Sequence, residues 1–358
     1  MKIITVIGAR PQFIKAAVVS QAIRQMAQQG VDIQEKILHS GQHYDYNMSA
    51  LFFAQLPLPT PEWHLDCGND IEQMKSAITP ILQAEQPDVV IVYGDTNTTL
   101  AGAEAADALQ IPVAHIEAGL RSFNDSMPEE HNRIITDRIA TWRFCPTRTA
   151  MDNLRHEGLT AHAYHVGDVM YDATLLFTPD EQTQQQVLDQ YGVSSKQFII
   201  ATIHRAATAE NVTALTHIIH ALAQTEMPVL LPLHPHTAHT IAAHPALQQR
   251  IHNAPNIRVI EPVGYREMLV LEKQARTIVT DSGGMQKEAY FQATPCITLR
   301  DETEWVETVE AGWNRLAGTD TKSILQALRT KAEQRPILDY GDGHSAQEII
   351  RILWQNAS

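Results

Sequence analysis

Lys2-Ile-Ile-Thr-Val-Ile-Gly-Ala-Arg-Pro-Gln-Phe-Ile-Lys15 opens the chain and decides its fold. Residues 2–7 are an apolar, β-branched run of strand length. Gly8 breaks the run, Pro11 suits the first turn of a helix, and Phe13, Ala16, Ala17, Ile23 and Met26 then stay near one helical face. A strand that turns directly into an amphipathic helix is half of a βαβ unit. The pattern recurs, with strand-like runs at residues 33–38, 88–93, 112–116, 198–203, 229–233, 257–260, 277–280 and 296–299. Between them lie stretches of helical length, such as the one carrying Leu215, Ile218, Ile219 and Leu222. Strand alternating with helix predicts an α/β protein built on parallel sheet.

The chain has 358 residues, and domains of roughly 100 to 200 residues favour two. The series of units restarts near Phe198, after a polar, Gln-rich stretch at residues 179–197 that holds one convincing helix. The reading is therefore an N-terminal Rossmann-like domain at 1–168 and a second at 169–344. A closing helix at 345–358 has Ile349, Ile350, Leu353 and Trp354 on one face, and a lone terminal helix of this kind often packs across a domain junction. With 27 Lys+Arg against 41 Asp+Glu, the formal charge of −14 opposes binding to nucleic acid or to an anionic membrane. Cys67, Cys145 and Cys296 are odd in number and far apart, which fits neither a disulfide framework nor a CxxC metal site, so a reducing cytoplasm is expected. No apolar run reaches the roughly 18 residues of a membrane span.

In open parallel sheets, ligands gather at the carboxyl ends of the strands. The first strand leads into a helix start that carries Arg10 and Lys15, which suits an anion; the same spacing also suits a plain strand–helix turn with solvated basic residues. Gly94-Asp-Thr-Asn-Thr-Thr99 and His115-Ile-Glu-Ala-Gly-Leu-Arg121 each put a carboxylate, Asp95 and Glu117, just after a strand. A third acidic pair, Glu129-Glu130, follows Pro128 at a helix start, where acids are also good capping chemistry. Carboxylates that face one crevice raise one another's pKa, so that one holds a proton while another accepts one, as a two-base proton-transfer site requires.

In the second half, His204-Arg205 ends the strand at residues 198–203. Thr280-Asp-Ser-Gly-Gly-Met-Gln-Lys-Glu288 then reads as strand, Gly-rich turn and helix, with Ser282, Gly283 and Gly284 placed to receive a phosphate and Glu288 to accept from sugar hydroxyls. No GxGxxG follows the first strand, and no dinucleotide cofactor is expected. His234-Pro-His-Thr-Ala-His239 has Pro235 inside it and neither HExxH spacing nor a cysteine cluster, so no metal site is expected.

Gly8-Ala-Arg-Pro11, Gly94 to Thr99, His115 to Arg121, Pro128-Glu-Glu130, His204-Arg205 and Thr280 to Gly284 occur in an order and at gaps that resemble the non-hydrolysing UDP-N-acetylglucosamine 2-epimerases. The resemblance implies the glycosyltransferase-B architecture, two Rossmann-like domains facing a cleft, usually in a homodimer, with a UDP-sugar as substrate. It implies Asp95, Glu117 and Glu129 as catalytic carboxylates, joined by His204. It also implies Arg10, Lys15, His204 and Arg205 at the phosphates, and Ser282, Gly283, Gly284 and Glu288 at the diphosphate and ribose.

The chain departs from the family in three places. Ala206-Ala-Thr208 follows His-Arg where a Glu is common. Thr303-Glu-Trp-Val-Glu307 replaces Thr-Glu-Arg-Pro-Glu, and Tyr44-Asp45 replaces an Arg-Glu beside an allosteric substrate site. The Trp305 form also resembles relatives acting on UDP-2,3-diacetamido-2,3-dideoxyglucuronate in surface-polysaccharide synthesis, for whose C6 carboxylate Arg121 and Arg133 are the nearest cations in sequence. A glycosyltransferase of the same fold and a silent nucleotide-sugar sensor are the rival readings of these residues, and the carboxylate trio favours epimerisation over both.

Overall fold

The computed structural model describes residues 1–42 and 56–357; Tyr44 and Asp45 lie outside the described residues. The chain divides into two compact units, Met1–Leu176 with Leu338–Ser358, and Phe177–Ile337.

The first unit holds a parallel sheet of β1 (Lys2–Ile7), β2 (Gln34–His39), β3 (Trp63–His64), β4 (Val89–Tyr93), β5 (Val113–Ile116), β6 (Trp142–Cys145) and β7 (Ala163–His165), in the spatial order β3-β2-β1-β4-β5-β6-β7. The order runs outward in opposite directions from β1 and β4, so their carboxyl ends flank the crevice where the connections diverge. β1 pairs with β4 through Ile3 to Val89 and Thr5 to Ile91. Ile4, Val6, Val90 and Val92 point into one core with Met74, Ile78 and Leu82. On β1 itself Ile3 and Ile7 are also fully buried, which is why the strand reads as a continuous apolar run rather than an alternating one. The helix Arg10–Gln28 packs on the closing helix Ser345–Ala357, whose Ile349, Ile350 and Leu353 are buried.

The second unit repeats the plan with β8 (Ile199–Thr202), β9 (Val229–Pro232), β10 (Ile257–Ile260), β11 (Thr277–Thr280), β12 (Cys296–Thr298) and β13 (Asn314–Leu316), ordered β10-β9-β8-β11-β12-β13 and parallel throughout. Its strands feed two cores. Ile199, Ala201, Val229, Leu231, Val279 and Ile297 face one, and Phe198, Ile200, Leu230, Ile278 and Cys296 face the other. The side-chain period of two sends neighbours to opposite faces, and helices cover both. The divergence point here lies between β8 and β11, the strands that run on into His204 and Ser282, each two residues past its strand.

The units divide later than residue 168, the last of the first domain in the sequence reading. The helix Val169–Phe177 is tied to the returning segment, since the Asp168 amide donates to the Tyr340 carbonyl at 3.0 Å and Asp172 Oδ2 accepts from the Ala346 amide at 2.8 Å. β3, β6, β7 and β13 were not anticipated; all four are four residues or shorter and carry Trp, His or Arg in place of an apolar run. All three cysteines are free and buried, and no described helix is long and apolar enough to cross a membrane.

Candidate active site

In the first unit, three strand ends bring the predicted residues together. Lys15, on the second turn of the helix after β1, reaches Glu117 at the end of β5, with Nζ 2.6 Å from Oε1 and both side chains almost wholly buried. The two charges meet beside Gly94, where a Cβ would lie 3.3 Å from both Lys15 Nζ and Glu117 Oε1; Gly94 also has φ +64°, which an L side chain resists. Glu117 itself sits in the left-handed region at φ +74°. Its own amide and that of Ala118 both donate to the Phe144 carbonyl on β6 at 3.0 Å, which holds this costly conformation in place. Glu117 is thus a non-glycine residue held in a strained conformation at a strand end, with its carboxylate against a buried ammonium.

Asp95, one residue beyond Gly94, ion-pairs with Arg133 Nη2, and the other guanidinium nitrogen of Arg133 donates to Glu130 Oε2 at 3.0 Å. Glu130 is the buried member of the acidic pair. It accepts from the Ser122 amide and hydroxyl at 2.9 and 2.8 Å and from the Phe123 amide at 3.1 Å. Burial works against its charge, but these donors and Arg133 together hold its carboxyl below the usual range. Glu130 therefore organises the loop before the helix Pro128–Ile139, and Glu129 remains half-buried beside it. Arg121 is likewise committed, donating to Asp137 Oδ2 at 2.8 Å and to both Glu157 oxygens at 2.7 and 2.8 Å.

The helix start after β1 differs from the anion cradle that its sequence suggests. Gln12 Oε1 accepts from the Gly8 and Ala9 amides at 2.8 and 3.0 Å. Its Nε2 donates to the Tyr93 carbonyl at 3.1 Å and to the Thr96 and Thr99 hydroxyls at 2.9 and 3.0 Å. One buried amide thus ties the loop after β1 to the loop after β4, and those two N–H groups are spent within the protein. Arg10 lies partly exposed at the N-terminus of the helix.

In the second unit, Asp281 is the organising group that sequence reasoning passed over. Wholly buried at the end of β11, it accepts from the His204 amide at 3.1 Å and the Arg205 amide at 3.0 Å, and its Oδ1 lies 3.1 Å from His204 Nδ1. This fixes the imidazole's orientation and leaves Nε2 as its outward nitrogen. Ser282 caps the helix Gly283–Phe291 by accepting from the Met285 amide. A Cβ on Gly283 would lie 2.4 Å from Glu304 Oε1, so the Glu304 carboxylate lies directly against this helix start. Glu288 is buried within the helix, and Trp305 is stacked under the Lys287 ammonium, 3.9 Å from the ring centroid. His234 caps its own helix through Nδ1, and His236 pairs with Glu210. Among the described residues no group of three or more His, Cys, Asp or Glu side chains is placed to hold a metal ion.

The family described as UDP-N-acetylglucosamine 2-epimerase matches residues 25–354. The chain is 46% identical to the UDP-2,3-diacetamido-2,3-dideoxy-D-glucuronate 2-epimerase of Pseudomonas aeruginosa and 44% identical to a UDP-N-acetylglucosamine 2-epimerase homolog of Methanococcus maripaludis, in each case over 99% of both chains. The crystal structure of the Methanocaldococcus jannaschii UDP-GlcNAc 2-epimerase in complex with UDP-GlcNAc and UDP superposes with a TM-score of 0.89 at 37% identity, over 99% of this chain and 100% of that one. With its strand-end carboxylates and its Ser-Gly-Gly helix start set in two Rossmann-like units, the chain belongs to the UDP-N-acetylglucosamine 2-epimerase family.

Proposed function

We propose that the protein inverts C2 of UDP-N-acetylglucosamine to give UDP-N-acetylmannosamine, by eliminating UDP and adding it back. The observation that carries this reading is the buried Lys15–Glu117 pair against Gly94, with Asp95 next in the chain and paired to Arg133, so that two carboxylates stand at adjoining strand ends. C2 of the hexosamine is not next to a carbonyl, so plain deprotonation has no stabilised carbanion. A carboxylate instead takes the C2 proton as the C1–O bond breaks. The C–H electron pair becomes the C1=C2 bond of a 2-acetamidoglucal, and the C–O pair leaves with UDP. In the reverse sense a proton is delivered to the other face of C2, and a UDP oxygen attacks C1.

Asp95 and Glu117, paired with Arg133 and Lys15, suit the accepting role, and half-buried Glu129 suits delivery. His204, oriented by Asp281, with Arg10, Arg205 and the helix start at Ser282, Gly283 and Gly284, suits the charge that departing UDP gains. One substrate must reach both sets of residues, which is a requirement of this proposal. A role in supplying surface-polysaccharide precursors is part of it.

Reaction in deuterated water is expected to place deuterium at C2 of the product and to release small amounts of UDP and 2-acetamidoglucal. Product that keeps its original C2 hydrogen would exclude the elimination route. Incubation with UDP-N-acetylglucosamine alone separates the rivals, since only an epimerase forms a second sugar nucleotide. Ser282→Ala and Glu288→Ala are each expected to weaken UDP binding by about 1 to 3 kcal/mol in calorimetry; unchanged affinity in both would move the nucleotide site elsewhere.

A second substrate has a specific observation behind it, the 46% identity to the diacetamidoglucuronate enzyme. Its C2 chemistry is the same, but its C6 carboxylate needs a cation or N–H donors to offset desolvation. Arg121 and Arg133, the cations that sequence suggested, are both engaged with carboxylates of the protein. The N-acetylglucosamine sugar therefore stands first. A kcat/KM preference of about 100-fold for the uronate, about 2.7 kcal/mol, would reverse that order.

A further inference from the structure

The His115 imidazole lies at the centre of the first unit with none of its surface exposed, and both of its nitrogens face acceptors. Nε2 is 2.7 Å from the Gly94 carbonyl, and Nδ1 is 2.7 Å from Asp137 Oδ1. A carbonyl oxygen only accepts, so Nε2 carries a hydrogen. The second contact depends on Asp137, whose other oxygen already accepts from the Gly119 amide at 3.1 Å and from Arg121 Nη1 at 2.8 Å, while Arg143 donates to its carbonyl. Burial works against the charge of Asp137, but its His115 and Arg121 contacts keep its carboxyl below the usual range. His115, Asp137, the Gly119 amide and Arg121 thus form one buried hydrogen-bonded group.

We infer that the His115 imidazole positions the two catalytic turns, joining the Gly94 peptide that precedes Asp95 to the β5 segment that leads into Glu117. Its anchor points lie one and two residues along the chain from the two carboxylates. Gly94 is the residue its Nε2–H grips, and Asp95 follows directly. His115 is itself a β5 residue two positions before Glu117, and Asp137 holds the Gly119 amide on the far side of Glu117. The bridge therefore fixes the spacing of the β4 and β5 turns at the point where the sheet's own β4–β5 pairing ends, at Tyr93 and Ile116. Beyond that pairing the Gly94 amide still donates to the Ile116 carbonyl at 2.9 Å, and the His115 side chain adds a second tie between the two turns.

The inference rests on the proposed epimerase reading for its kinetic part alone. The expected kinetic result is that His115→Ala lowers kcat by about 100-fold, the usual scale for a misplacement of about 1 Å, with KM changed by less than about threefold. His115→Gln, whose amide nitrogen reaches the Nε2 position, is expected to recover at least about tenfold of that loss. His115→Asn, which reaches only the Nδ1 position, is expected not to recover it. Equal kcat in the Gln and Asn variants, or a loss that appears only in thermal stability, would overturn the positioning role.

The bridge itself is tested on the unaltered protein, so a variant that fails to fold does not block it. Nitrogen NMR of ¹⁵N-histidine-labelled protein should show one imidazole whose Nε2 hydrogen is held against exchange with solvent, and the lack of any such slowly exchanging Nε2 hydrogen would overturn the bridge to Gly94. If the wild-type protein turns over no UDP-sugar, the epimerase reading fails while the NMR result still decides whether His115 bridges the two turns.

Discussion

Asp95→Asn and Glu117→Gln are each expected to lower kcat by about 10³-fold, within the range for losing a general acid or base, while UDP remains bound. The two changes should differ in stability. Glu117→Gln leaves the Lys15 ammonium buried without its carboxylate, so a fall in denaturation midpoint should accompany the loss of activity. Asp95 is more open, and its Arg133 partner keeps Glu130, so Asp95→Asn should be nearly neutral for folding. Glu129→Gln belongs to the same series. If its turnover matches the unaltered protein while the other two fail, Glu129 is a helix-capping acid only. Retained activity in all three would end the elimination reading.

Asp137→Ala is expected to cost about 3 to 5 kcal/mol of stability, because it leaves buried Arg121 with only the partly exposed Glu157 as counter-charge and leaves His115 Nδ1 and the Gly119 amide without their buried partner. Its pH dependence has a definite sign. The folded-state pKa of Asp137 lies below its ordinary value of 3.8. The stability it contributes is therefore present in full above that value and is lost as pH falls through the folded-state pKa. The gap between the unaltered protein and the variant should be widest near neutral pH and should narrow in acid, as measured by denaturant midpoints across that range. A gap that widens in acid would mean that Asp137 is protonated in the native state.

The architecture was legible because buried parallel strands leave a plain trace. Ile3 to Ile7, Val89 to Tyr93 and Ile199 to Ala201 are apolar on both faces, and each runs into a polar turn. The same rule of strand ends picked out Asp95, Glu117, His204 and Ser282. The residues that hold those groups in place left no such trace. Gln12 looks like any polar residue in the first turn of a helix, yet its amide links Gly8 to Tyr93 across the sheet. Asp137 sits mid-helix and meets His115 from 22 residues away, a pairing that only the folded topology creates.

Glu129 and Glu130 are equivalent as capping acids, and which of them turns inward is settled by Arg133 one helical turn on, together with the Ser122 and Phe123 amides. Asp281 could have been found, since it directly follows β11 as Asp95 and Glu117 nearly follow their own strands. Attention to the adjoining glycines hid it.

The returning segment Leu338–Ser358 gives the two units an order of birth. On the ribosome, the whole of Phe177–Ile337 must be made before the residues that complete the first unit emerge. A chain arrested at Ile337 therefore has every residue of its second unit, but a first unit whose helix Arg10–Gln28 still lacks the cover of Ile349, Ile350 and Leu353. Synthesis from the N-terminus thus does not finish the N-terminal unit first, and during that interval its apolar flank is the surface a chaperone would meet.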